Sequence, residues 1–412
     1  MDDVSKQNNR ILYLLCLCLI MGVLNFLAMT PFYPEVSSDL GVSISLLGQV
    51  VTFMVLLSAV LGLAIGPIVD RCGYRLPLTI GVCCVAINVT GAGLAPSFPW
   101  LLSISLVGGL ADALTFGIPF AIVGVIFSPD DRKRALSWLV GSMSVGGIIG
   151  IPLLTVLGSA TSWRVAMIAL GGIAVCIAVL TLIVIPKDRR RSEIPWSFHV
   201  FTAAYAPVLG HASTVRLLTA TAIRSICWLG VLTYLGAYLG QEHDLSTKGI
   251  GLVYTIGATG YAFGSSIAGR LIGRVAARIV VGIMCVVTAL ATVAAGFAIN
   301  VGFAVGSIVV MAMASAVIAI GVTLLLSTES LGEQGTTMLL NGSMVNFGGA
   351  AGAAIGGGLI AMGGYQAFGL GLSAFSLLGA VLVLWPQRRE RDVHTPLHPG
   401  VATEEPETAA SI

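Results

Sequence analysis

Charge is scarce in this sequence. Only 10% of its 412 residues are Asp, Glu, Lys or Arg, where soluble domains carry about a quarter. With 56% of residues hydrophobic and a mean hydropathy of +0.97, the chain holds more apolar surface than a compact globule buries in water. A soluble protein is excluded. Histidine is sparse too, and all five residues fall in loops or in the C-terminal tail, which excludes a histidine relay inside a membrane. The eight cysteines form no CxxC pair of metal spacing; they read as small apolar side chains, with Cys72 alone expected to react. Also missing are HExxH, GxSxG, the P-loop GxxxxGK[ST] and GxGxxG, the usual marks of metal, acyl, nucleotide and dinucleotide chemistry. No cofactor, metal or nucleic acid is expected. A membrane-embedded enzyme remains the rival from another class.

What the sequence has instead is a series of apolar runs. A bilayer core about 30 Å thick needs roughly 20 apolar residues per helix. Twelve such runs are read at about 11–34, 44–68, 76–95, 100–127, 135–158, 163–186, 214–240, 249–272, 278–299, 301–327, 335–360 and 364–386. The first is too long for a secretory leader and is taken as span one. The fold class expected is an all-α integral membrane protein of two six-helix bundles, 1–186 and 214–386. A cytoplasmic linker at 187–213 has an amphipathic middle with Trp196, Phe198 and Phe201, suited to lie on the membrane surface. The stretch 387–412, rich in Pro, Thr, Glu and Ala, reads as a disordered cytoplasmic tail. Placing both termini inside puts all Lys and Arg on the cytoplasmic side except Arg164, Lys248 and the intramembrane Arg224; this follows the positive-inside pattern. A multi-pass protein of the cell membrane with cytoplasmic termini is therefore expected.

The halves repeat. Gly66, Arg71 and Arg75 after span two recur as Gly269, Arg274 and Arg278, 203 residues later. Gly141-Ser142-Met143 recurs as Gly342-Ser343-Met344, 201 later, and Trp163-Arg164 stands in the place of Tyr365-Gln366, 202 later. Two parallel repeats of six helices are a transporter architecture, with the site near mid-depth between them.

The loop after span two, Gly66-Pro67-Ile68-Val69-Asp70-Arg71-Cys72-Gly73-Tyr74-Arg75, resembles the GxxxDRxGR signature of the major facilitator superfamily, with Tyr74 inserted before Arg75. The resemblance covers the whole chain and implies a twelve-helix secondary transporter, with Gly66, Asp70, Arg71, Gly73 and Arg75 as a cytoplasmic gate. Span five, Gly141 to Pro152, is similar to the glycine and proline motif of proton-driven drug and sugar exporters. Gly146, Gly150 and Pro152 carry that likeness, with Ile151 intervening before the proline. A plain packing seam is the competing reading of the same glycines. Where such exporters carry an arginine in span four, this chain has Ser105.

Two charged side chains fall deep in apolar runs, Asp112 in span four and Arg224 in span seven. At about 1.5 Å per residue both sit near mid-depth, and each needs a cavity or a partner. Asp112 is the candidate for the coupling proton, against a neutral acid bonded to Thr115 or a backbone carbonyl. Arg224 is a substrate-binding candidate or a partner of Asp112, against an arginine that snorkels inward beside Arg216. Asn25, Asn341 and Asn346 are further substrate-binding candidates, or interhelical hydrogen bonds. Trp228, one turn from Arg224, suits stacking on an aromatic or cationic solute, while Tyr234 and Tyr238 read as an outer aromatic belt. The function these observations point to is proton-coupled efflux of a small organic solute by a monomer in lipid. A proton symporter or facilitator that imports a metabolite is the alternative.

Overall fold

The computed structural model describes residues 2–186, 205–329 and 334–385. Every described element is helical, as lipid requires: a spanning backbone must satisfy its own N–H and C=O groups. Span one is Asp2–Leu27, followed by Ile44–Cys72, Arg75–Gly93 and Phe98–Ile126 as spans two to four. Span five comes in two pieces, Pro129–Val145 and Ile151–Ala160, and span six is Trp163–Val184. Spans seven to ten are Ala212–Glu242, Thr247–Ile272, Ala277–Gly296 and Val301–Glu329. The last helical stretch, Gln334–Leu384, has 51 residues and breaks at Gly363 and Gly364, where Gly364 takes φ +63°. Unbroken it would run about 75 Å, more than twice a bilayer core of about 30 Å, so it is spans eleven and twelve.

Ten described segments are long and apolar enough to cross a membrane, counting Thr336–Leu384 once. Its break makes eleven. Span eight, 26 residues long, is the twelfth; its Gly, Ser, Thr and Tyr content dilutes its hydropathy. Span one corrects the expected 11–34. Its helix stops at Leu27, and Pro31 and Pro34 redirect the chain through a 3₁₀ turn, Thr30–Phe32, into a short helix, Tyr33–Leu40, that ends on left-handed Gly41, because proline removes a donor and crowds the preceding turn. Of the linker, residues 187–204 lie outside the described residues, as does the tail from 386. Residues 205–209 are helical, and Tyr205 donates to the Leu63 carbonyl of span two at 2.8 Å.

The repeat shows in the contacts. Trp163 Nε1 donates to Asp39 Oδ2 at 2.7 Å, and 202 residues later Tyr365 donates its hydroxyl to Gln241 Oε1 at 3.0 Å. Arg75 donates to the Leu182 carbonyl as Arg278 does to that of Val383. Gly93 admits the Arg164 carbonyl, 2.8 Å from where a Cβ would stand, and Gly296 admits that of Tyr365 at 3.0 Å.

The halves meet mainly at the end remote from the termini, called the distal end below. A Cβ on Gly236 of span seven would lie 2.3 Å from the Thr30 carbonyl, and one on Gly48 of span two 1.6 Å from the Tyr234 hydroxyl. Thr30 and Tyr254 share a hydrogen bond of 2.8 Å across the halves, Glu35 accepts from Thr247, and Tyr234 donates to Ala353 O at 2.8 Å and Ser45 O at 3.3 Å. Towards the other end, Gly117, Gly141 and Gly342 of spans four, five and eleven face open space. Tyr234 and Tyr238 are buried, the first fully, which corrects their reading as an outer belt. Tyr234 packs edge-on against Tyr33 and Phe368 and plugs the distal closure. A tyrosine near a helix end suits either role until the residues facing it are known.

Candidate functional site

Asp112 lies in the interior of the first half and is 4% exposed. Asn25 Nδ2 of span one donates to its Oδ1 at 2.8 Å and to the Gly108 carbonyl at 3.1 Å. Asn88 of span three donates in turn to Asn25 Oδ1 at 2.9 Å. Spans one, three and four thus hold the carboxyl through a two-amide chain. Thr115 spends its hydroxyl proton on Ala111 O, at 2.8 Å, rather than on Asp112. Asn25 is the residue the structure brings to it, and Asn88 the one that sequence reading missed. The signal for Asn88 was weak: one amide in an apolar helix. A cavity of about 30 Å³ adjoins the network on the distal side, lined by Asn25, Met29, Thr30, Tyr33, Met54 and Asn88 among others; that holds water, not an organic solute.

Arg224 is equally deep in the second half, 9% exposed, beside Cys285 and Tyr261. Gly379 of span twelve makes room for it, since a Cβ there would stand 3.2 Å from Arg224 Cβ. Among the described residues the one ion pair is Arg164–Asp39, at 3.7 Å, which ties the distal corner of the first half. Asp112 and Arg224 are therefore not paired in this conformation. Trp228 stacks on Tyr261, with centroids 5.7 Å apart and rings 23° from parallel. Asn341 accepts from Thr221 at 3.1 Å, within its half, and Asn346 donates to Ser58 at 3.1 Å across the halves. Ser105 donates to Leu102 O at 2.7 Å.

Span five explains its intervening residue. Gly146–Gly150 is a π turn, and the Ile151 N–H bonds to the Gly146 carbonyl, five residues back. A π turn takes up one extra residue inside an α-helix, so Ile151 fits without displacing Pro152, which starts the next segment. Cβ atoms on Gly146 and Gly150 would meet Val23 and Leu24 of span one at 3.0 and 2.8 Å, and one on Gly147 would meet Ala258 of span eight at 2.9 Å. The glycines thus form a packing seam that touches both halves. Deleting Ile151 is expected to leave a folded protein with solute transport reduced at least about tenfold, since π turns inside α-helices are frequent at functional sites. Transport within twofold of wild type, at equal amounts of folded protein, would remove the turn from the mechanism.

In the motif after span two, Gly73 takes φ +74° and its N–H bonds to Val69 O at 2.8 Å, a conformation glycine adopts without strain. The side chains of Asp70 and Arg71, and the surroundings of Gly66, lie outside the described residues. The backbone is helical through Cys72.

Two six-helix halves joined at one end, with one buried charge in each among the described residues, are the layout of a polytopic membrane protein of two repeats. A model of the Major Facilitator Superfamily matches residues 15–250 and again 237–408; the chain belongs to that superfamily. It is 30% identical over 203 residues to the putative transporter AraJ of Escherichia coli, covering 48% of each chain. It is 26% identical over 265 residues to a chloramphenicol resistance protein of Streptomyces lividans, 63% of this chain and 66% of that one. The chain spans between about two fifths and two thirds of the length of the first curated relatives it matches, from 41% to 66%. Among solved structures, the nucleoside transporter NupG superposes with a TM-score of 0.73 at 14% identity, over 92% of this chain and 98% of that one. A bacterial homologue of the human lysosomal transporter Spinster, inward-facing and unoccupied, gives 0.69 at 16%, over 92% and 95%. These two share the fold.

Proposed function

We propose that the protein exports a small organic solute in exchange for protons by alternating access, and that Asp112 carries the proton. The observation that supports this most is the environment of Asp112: a carboxyl at mid-depth, buried, held by amides and facing no cation. Such a group is costly as a fixed charge in a membrane, and hydrogen bonding to Asn25 suits both its ionised and its neutral form. The Lys and Arg distribution supports cytoplasmic termini, which makes the distal end the outer side and this conformation inward-facing. The first bundle, 1–186, and the second, 214–386, then rock about the contact between them, with Asp70 and Arg71 closing the cytoplasmic side. Efflux is supported by the resemblance of span five to exporters and by relatives named for chloramphenicol resistance and efflux. The chain acts as a monomer in lipid.

The test is solute-driven proton movement in proteoliposomes with an imposed pH gradient, using chloramphenicol, sugars and amino acids on wild type and Asp112→Asn. The expected result is that at least one compound dissipates the gradient with wild type, and that the variant falls to the level of empty liposomes. Equal proton flux in both proteins would dismiss Asp112. Solute uptake without any proton movement would make the protein a facilitator.

A further inference from the structure

The second half holds a buried cation that its own sequence cannot neutralise. Between Asp244 and Glu329, and again from Gln334 to Arg389, there is no aspartate or glutamate, and span seven has none before its terminal Glu242. Asp112, the other intramembrane charge, is engaged by Asn25 in the opposite half. A guanidinium isolated in a low-dielectric interior is costly enough that some negative group should accompany it.

The packing register shows what surrounds it. Cys227 of span seven, Thr292 of span nine and Met311 of span ten touch: Cys227 Sγ lies 3.4 Å from Thr292 Oγ1, which lies 3.4 Å from Met311 Sδ. One turn towards the termini from these three stand Arg224, Thr288 and Ser315, since span ten runs opposite to the other two and residues three or four apart share a helix face. The same antiparallel register returns further on, where a Cβ on Gly321 of span ten would meet Val281 of span nine. Thr288 and Ser315 are each 2% exposed. Arg224 Nε, Thr288 Oγ1 and Ser315 Oγ are all buried without a hydrogen-bond partner. Buried polar groups almost always find partners, and here three donors are left over in one layer. The same three spans by repeat, one, three and four, carry Asn25, Asn88 and Asp112, a layer that is hydrogen-bonded through. The first half supplies its own negative charge; the second lacks one.

Size decides the class of the missing group. The layer itself is closed in, with Thr288 and Ser315 each 2% and Arg224 9% exposed, and the void one turn further on, lined by Thr292 and Met311 and by none of these three, measures about 20 Å³. That admits one water-sized particle, far below the roughly 300 Å³ and more of an organic ligand site. We propose that Arg224, Thr288 and Ser315 form a binding site for one small monovalent anion of halide size inside the second half. The anion supplies the counter-charge of Arg224 and accepts from both hydroxyls. The proposal does not depend on proton coupling or on the identity of the exported solute.

The test is thermal unfolding of the full chain in lipid nanodiscs, without gradient or solute, at constant ionic strength with a bulky sulfonate as reference anion. Chloride and bromide are each titrated against it, with acetate and benzoate as carboxylate arms. Because ligand stabilisation grows with log concentration above Kd, the wild-type midpoint is expected to climb with log halide concentration. Arg224→Gln is expected to lose the response. Thr288→Val/Ser315→Ala, which keeps the packing volume and so serves where Arg224→Gln folds poorly, is expected to weaken apparent affinity at least about tenfold, as loss of two hydrogen bonds to a charge implies. No halide response in wild type, or the same response in the double variant, would overturn the site. A larger response to acetate or benzoate than to halide would overturn the anion's assignment and point to the carboxylate of a transported solute.

Discussion

Gly236→Val is expected to hold the protein open at the distal end and to cut transport more than tenfold. A Cβ at residue 236 stands 2.3 Å from the Thr30 carbonyl oxygen and 2.7 Å from Pro31 Cα. Both are backbone atoms of the other half, so no rotamer change relieves the clash. The substitution disturbs span seven only where the halves close, and it leaves each half's interior alone. Overpacking typically costs about 1–3 kcal/mol, and here the cost falls on the closed state alone; a bias of that size shifts a two-state population by roughly five- to 160-fold. Val51 of span two, 2% exposed and packed with Ala350 and Ala353 of the other half, supplies the reporter. Val51→Cys, on a background without the exposed Cys72, Cys83 and Cys176, should react slowly with an impermeant maleimide in wild type and rapidly with Gly236→Val. If labelling and transport both stay within twofold, the distal contact is not the gate.

The second large effect is on stability. Span eleven lays Gly348 and Gly352 against span seven so closely that Cβ atoms would fall 2.1 Å from the Ala222 carbonyl and 2.3 Å from that of Ile226. Small residues spaced by four allow such backbone approach. Gly352→Leu must push two helices of the same half apart, and its cost is expected on the order of 3 kcal/mol, read as a lower unfolding midpoint and poor recovery of monodisperse protein. Gly342→Ala is the control: on the same helix a Cβ there meets nothing within 4 Å, and alanine in a helix gains about 0.5–1 kcal/mol over glycine. Equal stability of the two variants would mean that the span seven–span eleven seam adapts, and that the second half is not held by close backbone contact.

Most of the architecture was legible because its physics is local. Hydropathy over 20 residues finds helices, and the turn at Gly363-Gly364 fell within the gap expected between 360 and 364. The repeat was legible as residue identities and reappears as matching bonds, such as Arg75 and Arg278 on the carbonyls of Leu182 and Val383. Span one was read too long, because a hydropathy run does not register that Pro31 and Pro34 end it. The site was legible only in part. Asp112 and Arg224 stood out as charges among apolar residues, but their surroundings are set by residues 60 and more positions away: Asn25 bonded to Asp112, and Cys285 beside Arg224. Helical spacing gives the face of one helix and not what faces it. The same gap hid Tyr234, and it left the span-five motif short of its explanation until the π turn showed where the extra residue goes.

The distal closure has a further consequence for how the carrier meets its surroundings. Its described links are glycine backbones, the Tyr234 hydroxyl on two carbonyls and the Thr30–Tyr254 bond; the single charged member, Glu35, accepts from a threonine rather than from a cation. Mobile salt weakens attraction between charges, and it has almost nothing to act on here. The seal therefore keeps its strength from dilute to concentrated media, and salt is not a lever on how readily the halves part at this end.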